Sequence, residues 1–280
     1  GAKSDSNGWT LVGGSGTGAD VLTGGAAADI ITGGAAADTI TGNGGADTIT
    51  GGAGDDIITG GAGNDIITVD SGKDTVLDLG GGGSESDVVI VNSGATLDAT
   101  GIAGFTATNA TTNKSTDASN ATLTAKANAA VTIDVSGAKA DSKGFTLEGG
   151  SGSGNDVLKG GAAADIITGG AQVDTITGNG GVDTISGGAG DDIITAGTGN
   201  DIINVDAGTD TVLDLGGSGG GESDVVVVSA GATLDATGIV SFTATSATKN
   251  NSTNANNAKL TAKDGGARTI DVSLATGSSA

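Results

Sequence analysis

Single aliphatic residues recur every nine positions along two stretches of the chain, each flanked by strand-favouring residues and followed by glycine. In the first stretch they are Leu22, Ile31, Ile40, Ile49, Ile58, Ile67 and Val76. A nine-residue spacing matches no face of an α-helix, and each glycine would destabilise a helix by about 1 kcal/mol. It does suit a short strand with one inward-facing aliphatic side chain, followed by a glycine-rich turn. The pattern therefore predicts short β-strands joined by tight turns.

The whole pattern occurs twice. The segment that begins GAKSDSNGWTLVGGSGTGADVLTGG at Gly1 returns as GAKADSKGFTLEGGSGSGNDVLKGG at Gly137. A tandem repeat of this kind predicts a stacked array of structural units. We therefore divide the chain into two tandem units, 1–136 and 137–280. The nonapeptide arrays cover about 13–79 and 149–215, and less regular β regions follow at about 80–136 and 216–280.

The predicted fold class is all-β, a parallel β-roll or β-helix solenoid. Two nonapeptides close one coil of 18 residues, and coils stack through backbone hydrogen bonds into two parallel sheets. The aliphatic residues of both sheets then fill the space between them. For the less regular regions we expect further solenoid coils that cover the edge of each array. A separate small β-sandwich is the alternative for these regions.

An aspartate lies two positions before each aliphatic residue, so the acidic residues share the nine-residue spacing. Stacking would form columns of carboxylates, and charges about 5 Å apart repel strongly unless a cation lies between them. Glycine-rich turns expose backbone carbonyls that complete the oxygen shell that Ca²⁺ prefers, whereas Mg²⁺ keeps several waters. The predicted calcium ligands are Asp20, Asp29, Asp38, Asp47, Asp56, Asp65, Asp74, Asp156, Asp165, Asp174, Asp183, Asp192, Asp201 and Asp210.

Composition excludes several classes of function. The chain has no Cys and no His, which leaves oxygen-bound hard cations as its metal chemistry. A formal charge of −22 with only 11 Lys and Arg argues against a nucleic-acid partner. No apolar run approaches the roughly 18 residues of a membrane span. A catalytic constellation is not expected, because the acids repeat evenly and only three glutamates, Glu85, Glu148 and Glu222, break the pattern.

The nonapeptides GGAGDDIIT (Gly51–Thr59), GGAGNDIIT (Gly60–Thr68) and GGAGDDIIT (Gly187–Thr195) resemble the calcium-binding repeats of RTX (repeats-in-toxin) proteins. The resemblance covers 15–77 and 151–213. It implies a β-roll that binds Ca²⁺ between adjacent coils through the aspartates and turn carbonyls. It also implies export of the unfolded chain by type I secretion and folding in external calcium. As a whole, each unit is similar to tandem repeats of large bacterial surface, S-layer and adhesin proteins.

Some turns depart from the repeat pattern, which bears on how many ions are held. The fourth position is alanine at Ala27, Ala36 and Ala163 and glutamine at Gln172, so these sites are expected to be weaker or empty. A full array would hold about five ions per unit, and ten ions would supply about +20 against the formal −22. Aspartate is also a common turn residue, but its presence in all fourteen repeats favours metal binding.

The pattern favours a structural role over the alternatives. We expect a calcium-rigidified repeat of an extracellular bacterial surface protein, such as an S-layer, filament or adhesin stalk, because near-identical units suit a spacer or lattice. Expected partners are other copies or neighbouring repeat units of the same protein, with cell-surface polysaccharide as a further candidate. An extracellular polysaccharide-binding β-helix module is the alternative function. Ice binding through Thr-x-Thr pairs is a weaker one, because consecutive pairs lie on opposite sheets.

Two further expectations concern the less regular regions. The aromatic residues Trp9, Phe105, Phe145 and Phe242 occupy matched positions and are expected in the core or in caps. The Ser-, Thr- and Asn-rich stretches 109–120 and 249–257 are expected to form exposed loops.

Overall fold

The computed structural model describes residues 7–80, 85–115, 121–216, 222–239, 241–252, 258–262, 269–273 and 275–276. Within these residues every regular element is a β-strand, which confirms the all-β prediction. Contacts divide the chain into two compact units. Unit 1 contains 1–126 and 132–146, and unit 2 contains 127–131 and 147–280. The point where the sequence repeat restarts, Gly137, therefore lies inside the closing segment of unit 1, residues 132–146.

The strands of unit 1 alternate between two parallel sheets. The first sheet contains, in spatial order, β1 (Thr10–Val12), β3 (Ile30–Gly34), β5 (Thr48–Gly52), β7 (Ile66–Val69), β9 (Val88–Val91) and β12 (Thr112–Asn113). The second contains β2 (Val21–Thr23), β4 (Thr39–Gly44), β6 (Ile57–Ala62), β8 (Gly72–Asp78), β10 (Ala95–Ile102) and β13 (Ala121–Ala125), while β11 (Phe105–Thr106) pairs with β14 (Thr132–Asp134).

The strand register confirms a coil of two nonapeptides. Ile31 lies opposite Ile49, and Ile49 lies opposite Ile67, so paired residues are 18 apart. The other sheet has the same register, with Ile40 opposite Ile58. These side chains are fully buried between the sheets, as the hydrophobic effect favours for large apolar side chains that face inward.

The region after the first array continues the solenoid, as predicted, and does not form a separate β-sandwich. Strand β9 pairs in parallel with β7, and β10 pairs in parallel with β8. Strands β10 and β13 then pair with a register shift between Ala99 and Ile102, where the coil becomes irregular. The last coils of unit 1 therefore cover the edge of its array with the same parallel hydrogen bonding.

The prediction of an exposed loop at 109–120 is wrong at 111–113 and 115, which are buried, while 109, 110 and 114 are exposed. Thr111 and Asn113 are fully buried, and Thr112–Asn113 is strand β12. The Asn113 side-chain amide donates to the carbonyl oxygen of Gly144, 2.5 Å away, so this polar residue is satisfied inside the coil. Residues 116–120 lie outside the described residues.

Unit 2 repeats the arrangement. One sheet contains β17 (Ile166–Ala171), β19 (Thr184–Ala189), β21 (Ile202–Val205), β23 (Val225–Val228) and β26 (Lys249–Asn250). Another contains β16 (Val157–Lys159), β18 (Thr175–Thr177), β20 (Ile193–Thr195), β22 (Thr209–Val212), β24 (Thr233–Ile239) and β27 (Ala258–Ala262). Strand β25 (Ser241–Thr243) pairs with β28 (Thr269–Asp271), and β15 (Thr146–Glu148) lies at the boundary of the two units. The predicted exposed loop at 249–257 is thus also wrong at its start, since β26 occupies Lys249–Asn250, and 253–257 lie outside the described residues.

Three of the four aromatic residues are buried as expected. Phe105, Phe145 and Phe242 are at most 3% exposed. Trp9 contradicts the expectation of a core position, because its exposed fraction is 61%. It precedes β1, which is the edge strand of its sheet, so no described strand packs on its outer side.

Candidate metal centre

The array aspartates lie inside the solenoid, at the ends of the hydrophobic core. Because side chains alternate along a strand, the aspartate faces inward together with the aliphatic residue two positions later. Asp29 and Ile31, for example, are both buried, while Ile30 between them is exposed. Thirteen of the fourteen predicted aspartates are at most 3% exposed, and only Asp20, in the first turn, is partly exposed.

Backbone hydrogen bonds align the aspartates in columns, two in each unit. The backbone amide of each array aspartate, except the last in its column, donates to Oδ1 of the aspartate one coil further on. The bond from the Asp38 amide to Asp56 Oδ1, at 2.8 Å, is typical. The columns of unit 1 are Asp20, Asp38, Asp56, Asp74 and Asp29, Asp47, Asp65; those of unit 2 are Asp156, Asp174, Asp192, Asp210 and Asp165, Asp183, Asp201. The structure thus brings together all fourteen residues in the predicted 18-residue register.

The second carboxylate oxygen, Oδ2, lacks a hydrogen-bond partner in most of these aspartates but has one in several that begin a column. At ten of the fourteen, Oδ2 is buried without a hydrogen-bond partner: Asp38, Asp47, Asp56, Asp65, Asp74, Asp174, Asp183, Asp192, Asp201 and Asp210. At Asp20, Asp29 and Asp165, by contrast, Oδ2 accepts an amide of its own turn at 2.6 Å. A buried charged oxygen without a partner is costly, so at these ten atoms the fold favours a bound proton or a cation.

The alanine-containing turns do not behave alike. Asp29 and Asp165 follow the turns of Ala27 and Ala163, and both bond to their own turn. Asp38 follows the turn of Ala36, yet its Oδ2 has no partner. Alanine at the fourth position therefore does not by itself decide whether the carboxylate is satisfied by the protein.

Burial makes several of these carboxyl groups weaker acids than an exposed aspartate. Desolvation, opposed by the backbone amide and reinforced by neighbouring carboxylates, raises the pKa of Asp65, Asp74, Asp174 and Asp210 to about 6. The same desolvation, with repulsion from Asp165 and Asp201, raises the pKa of Asp183 to about 8. Without a cation, the folded chain thus resists ionisation of its own columns.

In most turns the first residue is a glycine that leaves space for the carboxylate. A methyl group at Gly42 would lie 2.2 Å from Asp47 Oδ2 and 2.4 Å from the carbonyl oxygen of Gly60 in the next coil. A carboxylate oxygen and a carbonyl oxygen from adjacent coils thus converge beside a residue without a side chain. Within the described ranges no three acidic side chains form one metal-binding group. The donors that converge beside Gly42 are one carboxylate oxygen and one carbonyl oxygen. This all-oxygen donor set fits Ca²⁺.

Sequence reasoning missed two members of the columns, Asp87 and Asp224. Asp65 donates its amide to Oδ1 of Asp87, and Asp201 donates to Oδ1 of Asp224, as in the regular coils. Their Oδ2 atoms accept the amides of Gly80 and Gly216. The signal in the sequence is an aspartate directly before an alternating valine-rich strand, which continues the Asp-x-aliphatic pattern after a longer turn.

Side chains at the fifth position of some turns join successive coils, a role that the sequence did not indicate. Asp55 Oδ1 accepts the amide of Lys73, and Asn64 Oδ1 accepts the amide of Ser86. Asp191 and Asn200 do the same in unit 2. Because these oxygens are satisfied by backbone donors, they hold the turns in place and are separate from the columns.

Comparison with known proteins identifies the repeats. A family model described as the RTX calcium-binding nonapeptide repeat matches four stretches, residues 14–49, 41–76, 150–185 and 177–212. The matches span the arrays of both units and stop before Asp87 and Asp224. No curated protein matches the chain. Among the described residues, no helix has the length and apolar character needed to cross a membrane.

Proposed function

Because residues 14–76 and 150–212 are RTX calcium-binding nonapeptide repeats, we propose that the chain is a calcium-dependent structural repeat of an extracellular bacterial surface protein. Repeats of this family bind Ca²⁺, and proteins that carry them are typically secreted. The observation that carries the proposal is the set of ten buried Oδ2 atoms without a partner. Those atoms give the folded state a need for cations that this chain's own groups do not meet.

In this proposal the fourteen array aspartates hold the ions together with turn carbonyls. At most of them a backbone amide already engages Oδ1, as at Asp56, and where the turn begins with glycine, as at Gly42 and Asp47, Oδ2 lies beside that glycine. Bound Ca²⁺ would supply positive charge and oxygen coordination between adjacent coils. Folding then depends on calcium, because the unfolded chain has no preformed site and the metal-free columns repel.

The structural role follows from the repetition of a complete unit. Two units with the same strand order and the same columns suit a spacer in an S-layer, a filament or an adhesin stalk. A chain that folds only in external calcium would also stay extended during export and become rigid outside the cell. We assign no catalytic role, since the buried acids recur evenly along each unit and no one position is singled out.

Circular dichroism in calcium and in EGTA tests the proposal. We expect the β-sheet spectrum of the purified chain to be lost in EGTA and restored by added Ca²⁺, but not by the same concentration of NaCl. Sodium chloride screens repulsion without supplying multidentate coordination, so it separates the two effects. A β-sheet spectrum that is unchanged in EGTA would contradict calcium-dependent folding.

A further inference from the structure

One turn in each array contains an asparagine where the regular turns have glycine. Asn43 and Asn179 occupy the second position of the turns GNGGAD and GNGGVD, and their φ angles are +74° and +71°. Strand pairing places Asn43 beside Gly61, the glycine of a regular turn in the next coil. Asparagine adopts this left-handed conformation more readily than most residues that have a side chain. Both units therefore carry a side chain at a turn position where the regular turns have none.

These asparagine side chains join adjacent coils. The Asn43 side-chain amide donates a hydrogen bond to the carbonyl oxygen of Gly24, 2.8 Å away in the preceding coil. The Asn179 side-chain amide donates in the same way to Gly160, also at 2.8 Å. We call these two hydrogen bonds the amide bridges. Because they lie at matched positions of two separate copies, the amide bridge is a feature of the repeated unit.

Two further hydrogen bonds satisfy the other oxygen atoms between the same turns. In unit 2, the Gly180 amide donates to the Gly161 carbonyl at 3.1 Å, and the Gly161 amide donates to Asp165 Oδ2 at 2.6 Å. The matching residues of unit 1, with the same two distances, are Gly44, Gly25 and Asp29. Two turn carbonyls and one carboxylate oxygen thus accept hydrogen bonds from the chain itself at this coil step.

The next aspartate of each of these columns is in a different situation. Asp183 follows Asp165 by one coil and is fully buried, but its Oδ2 has no hydrogen-bond partner. Asp47, which follows Asp29, likewise has a buried Oδ2 without a partner. Calcium is held by oxygen atoms, so an ion at Asp29 or Asp165 would have to break the hydrogen bonds that these oxygens already accept. The hydrogens of the asparagine amide also carry positive partial charge, which repels a cation.

We propose that the amide bridges take the place of calcium at one coil step in each unit. The side-chain amide satisfies the turn carbonyl as a cation would, but it belongs to the chain and needs no external ion. This coil step is closed by hydrogen bonds alone, whereas the following step of the column, at Asp47 or Asp183, needs calcium. The inference rests on the proposed function and narrows it, because Asp29 and Asp165 leave the set of residues that hold ions.

A coil step that is closed without metal prepares the adjacent calcium site. Metal binding is weakened when the ligands must become ordered at the moment of binding. The amide bridge of Asn43 holds its turn against the preceding coil, and the same turn ends in Asp47, whose Oδ2 is free. Asn179 holds the turn of Asp183 in the same way. Calcium therefore binds these two aspartates in turns that are already fixed on one side.

The number of bound ions in a double variant tests the proposal. Asn43→Asp combined with Asn179→Asp replaces each amide donor by a carboxylate of nearly the same shape, which faces the carbonyl oxygen of Gly24 or Gly160. Two oxygens that face each other without a hydrogen between them favour a cation. Native mass spectrometry in saturating calcium, on samples with a confirmed β-sheet spectrum, should show two more bound ions than in the unmodified chain.

A matched control changes two other turn asparagines. Asn64 and Asn200 are exposed, and the Oδ1 of each accepts a backbone amide of the next coil. Asp55 and Asp191 accept the same kind of bond in other turns, so a carboxylate is satisfied at this position. Asn64→Asp combined with Asn200→Asp adds the same two negative charges and should bind as many ions as the unmodified chain.

Two results would overturn the inference. An unchanged ion count in the folded variant of Asn43 and Asn179 would show that the asparagines do not keep calcium from this coil step. An equal gain in the variant of Asn64 and Asn200 would show that added charge alone attracts the ions. An unmodified chain that has no β-sheet spectrum in calcium would instead contradict the proposed function.

A second variant applies if the aspartate variant does not fold. Asn43→Gly combined with Asn179→Gly introduces the residue of the regular turns, which adopts a positive φ without strain. It removes both donors without adding charge and frees the carbonyl oxygens of Gly24 and Gly160 for an ion. The ion count should again rise, and an unchanged count would contradict the proposal.

Discussion

Each inner aspartate has two carboxylate oxygens in different situations. At Asp56, Oδ1 accepts the amide of Asp38, while Oδ2 is buried without a partner. A charge buried with one oxygen unsatisfied destabilises the fold unless it is neutralised by a proton or a cation. The effect of removing the charge should therefore depend on whether calcium is present.

We expect Asp56→Asn to lower stability in calcium but not in EGTA. When the free calcium concentration is about a hundred times the Kd of the site, loss of that site would lower the free energy of unfolding by about 2.7 kcal/mol. In EGTA, the substitution removes repulsion with Asp38 and should not lower residual stability. Circular dichroism measures both effects, as the melting temperature in calcium and as the β-sheet signal that remains in EGTA. Asp98→Asn is the control, since it makes the same charge change at a surface carboxylate 3.6 Å from Lys73. Destabilisation in both conditions would indicate a purely structural carboxylate.

The raised pKa values predict that acid partly replaces calcium. Burial raises the pKa of Asp74 to about 6 and that of Asp183 to about 8, so the folded chain holds protons that the unfolded chain has lost. Stability of the metal-free fold should therefore fall as pH rises between about 4 and about 8. We expect metal-stripped protein to show more β-sheet signal in circular dichroism at about pH 4.5 than at about pH 7.5. Calcium affinity should change in the opposite direction, because protons compete for the same oxygens. A metal-free fold that is more stable at the higher pH would contradict this.

At the scale of the elements, the turns set how closely coils can stack. Gly54 has a φ of +128°, and a methyl group there would lie 2.5 Å from the carbonyl of Ala36 in the preceding coil. Both the backbone conformation and the space therefore require glycine at this turn.

Three glycine substitutions separate these two requirements. Gly54→Ala should destabilise the calcium-bound fold most, because it adds a backbone clash to the cost of a positive φ. Gly94→Ala, with φ of +86° and no atom within 4 Å, should cost about 1 kcal/mol from conformation alone. Gly18→Ala has neither constraint and should be nearly neutral. Calcium-saturated melting temperatures in this order are the expected result; equal melting temperatures would show that stacking does not depend on the turn.

The regular elements were predictable because one spacing fixes several features at once. Ile31, Ile49 and Ile67 recur without a slip, which determines the coil length, the register and the inward face. Asp87 was missed because a longer glycine-rich turn places it 22 residues after Asp65. Asn113 was predicted to be exposed on its polarity, but the carbonyl of Gly144 satisfies its side chain inside the coil. Periodicity therefore predicts the array, whereas single tertiary hydrogen bonds decide the less regular coils.

At the scale of the whole molecule, charge and calcium stoichiometry are linked. The chain carries 33 acidic and 11 basic residues, a formal charge of −22. Ten divalent ions would bring this to about −2. Charge alone could be balanced by any counterion, but the buried Oδ2 atoms favour cations at fixed positions between coils.

We therefore expect calcium binding to saturate at about ten ions per chain, one for each inner aspartate whose Oδ2 has no partner. Equilibrium dialysis with measurement of total calcium gives this number directly. Asp56→Asn should lower the count, and Asp98→Asn should leave it unchanged. Equal concentrations of Mg²⁺ should compete poorly, because a small octahedral ion keeps water ligands that the closely stacked turns do not accommodate. Saturation at only two or three ions would mean that protons or water, rather than calcium, satisfy most of the columns.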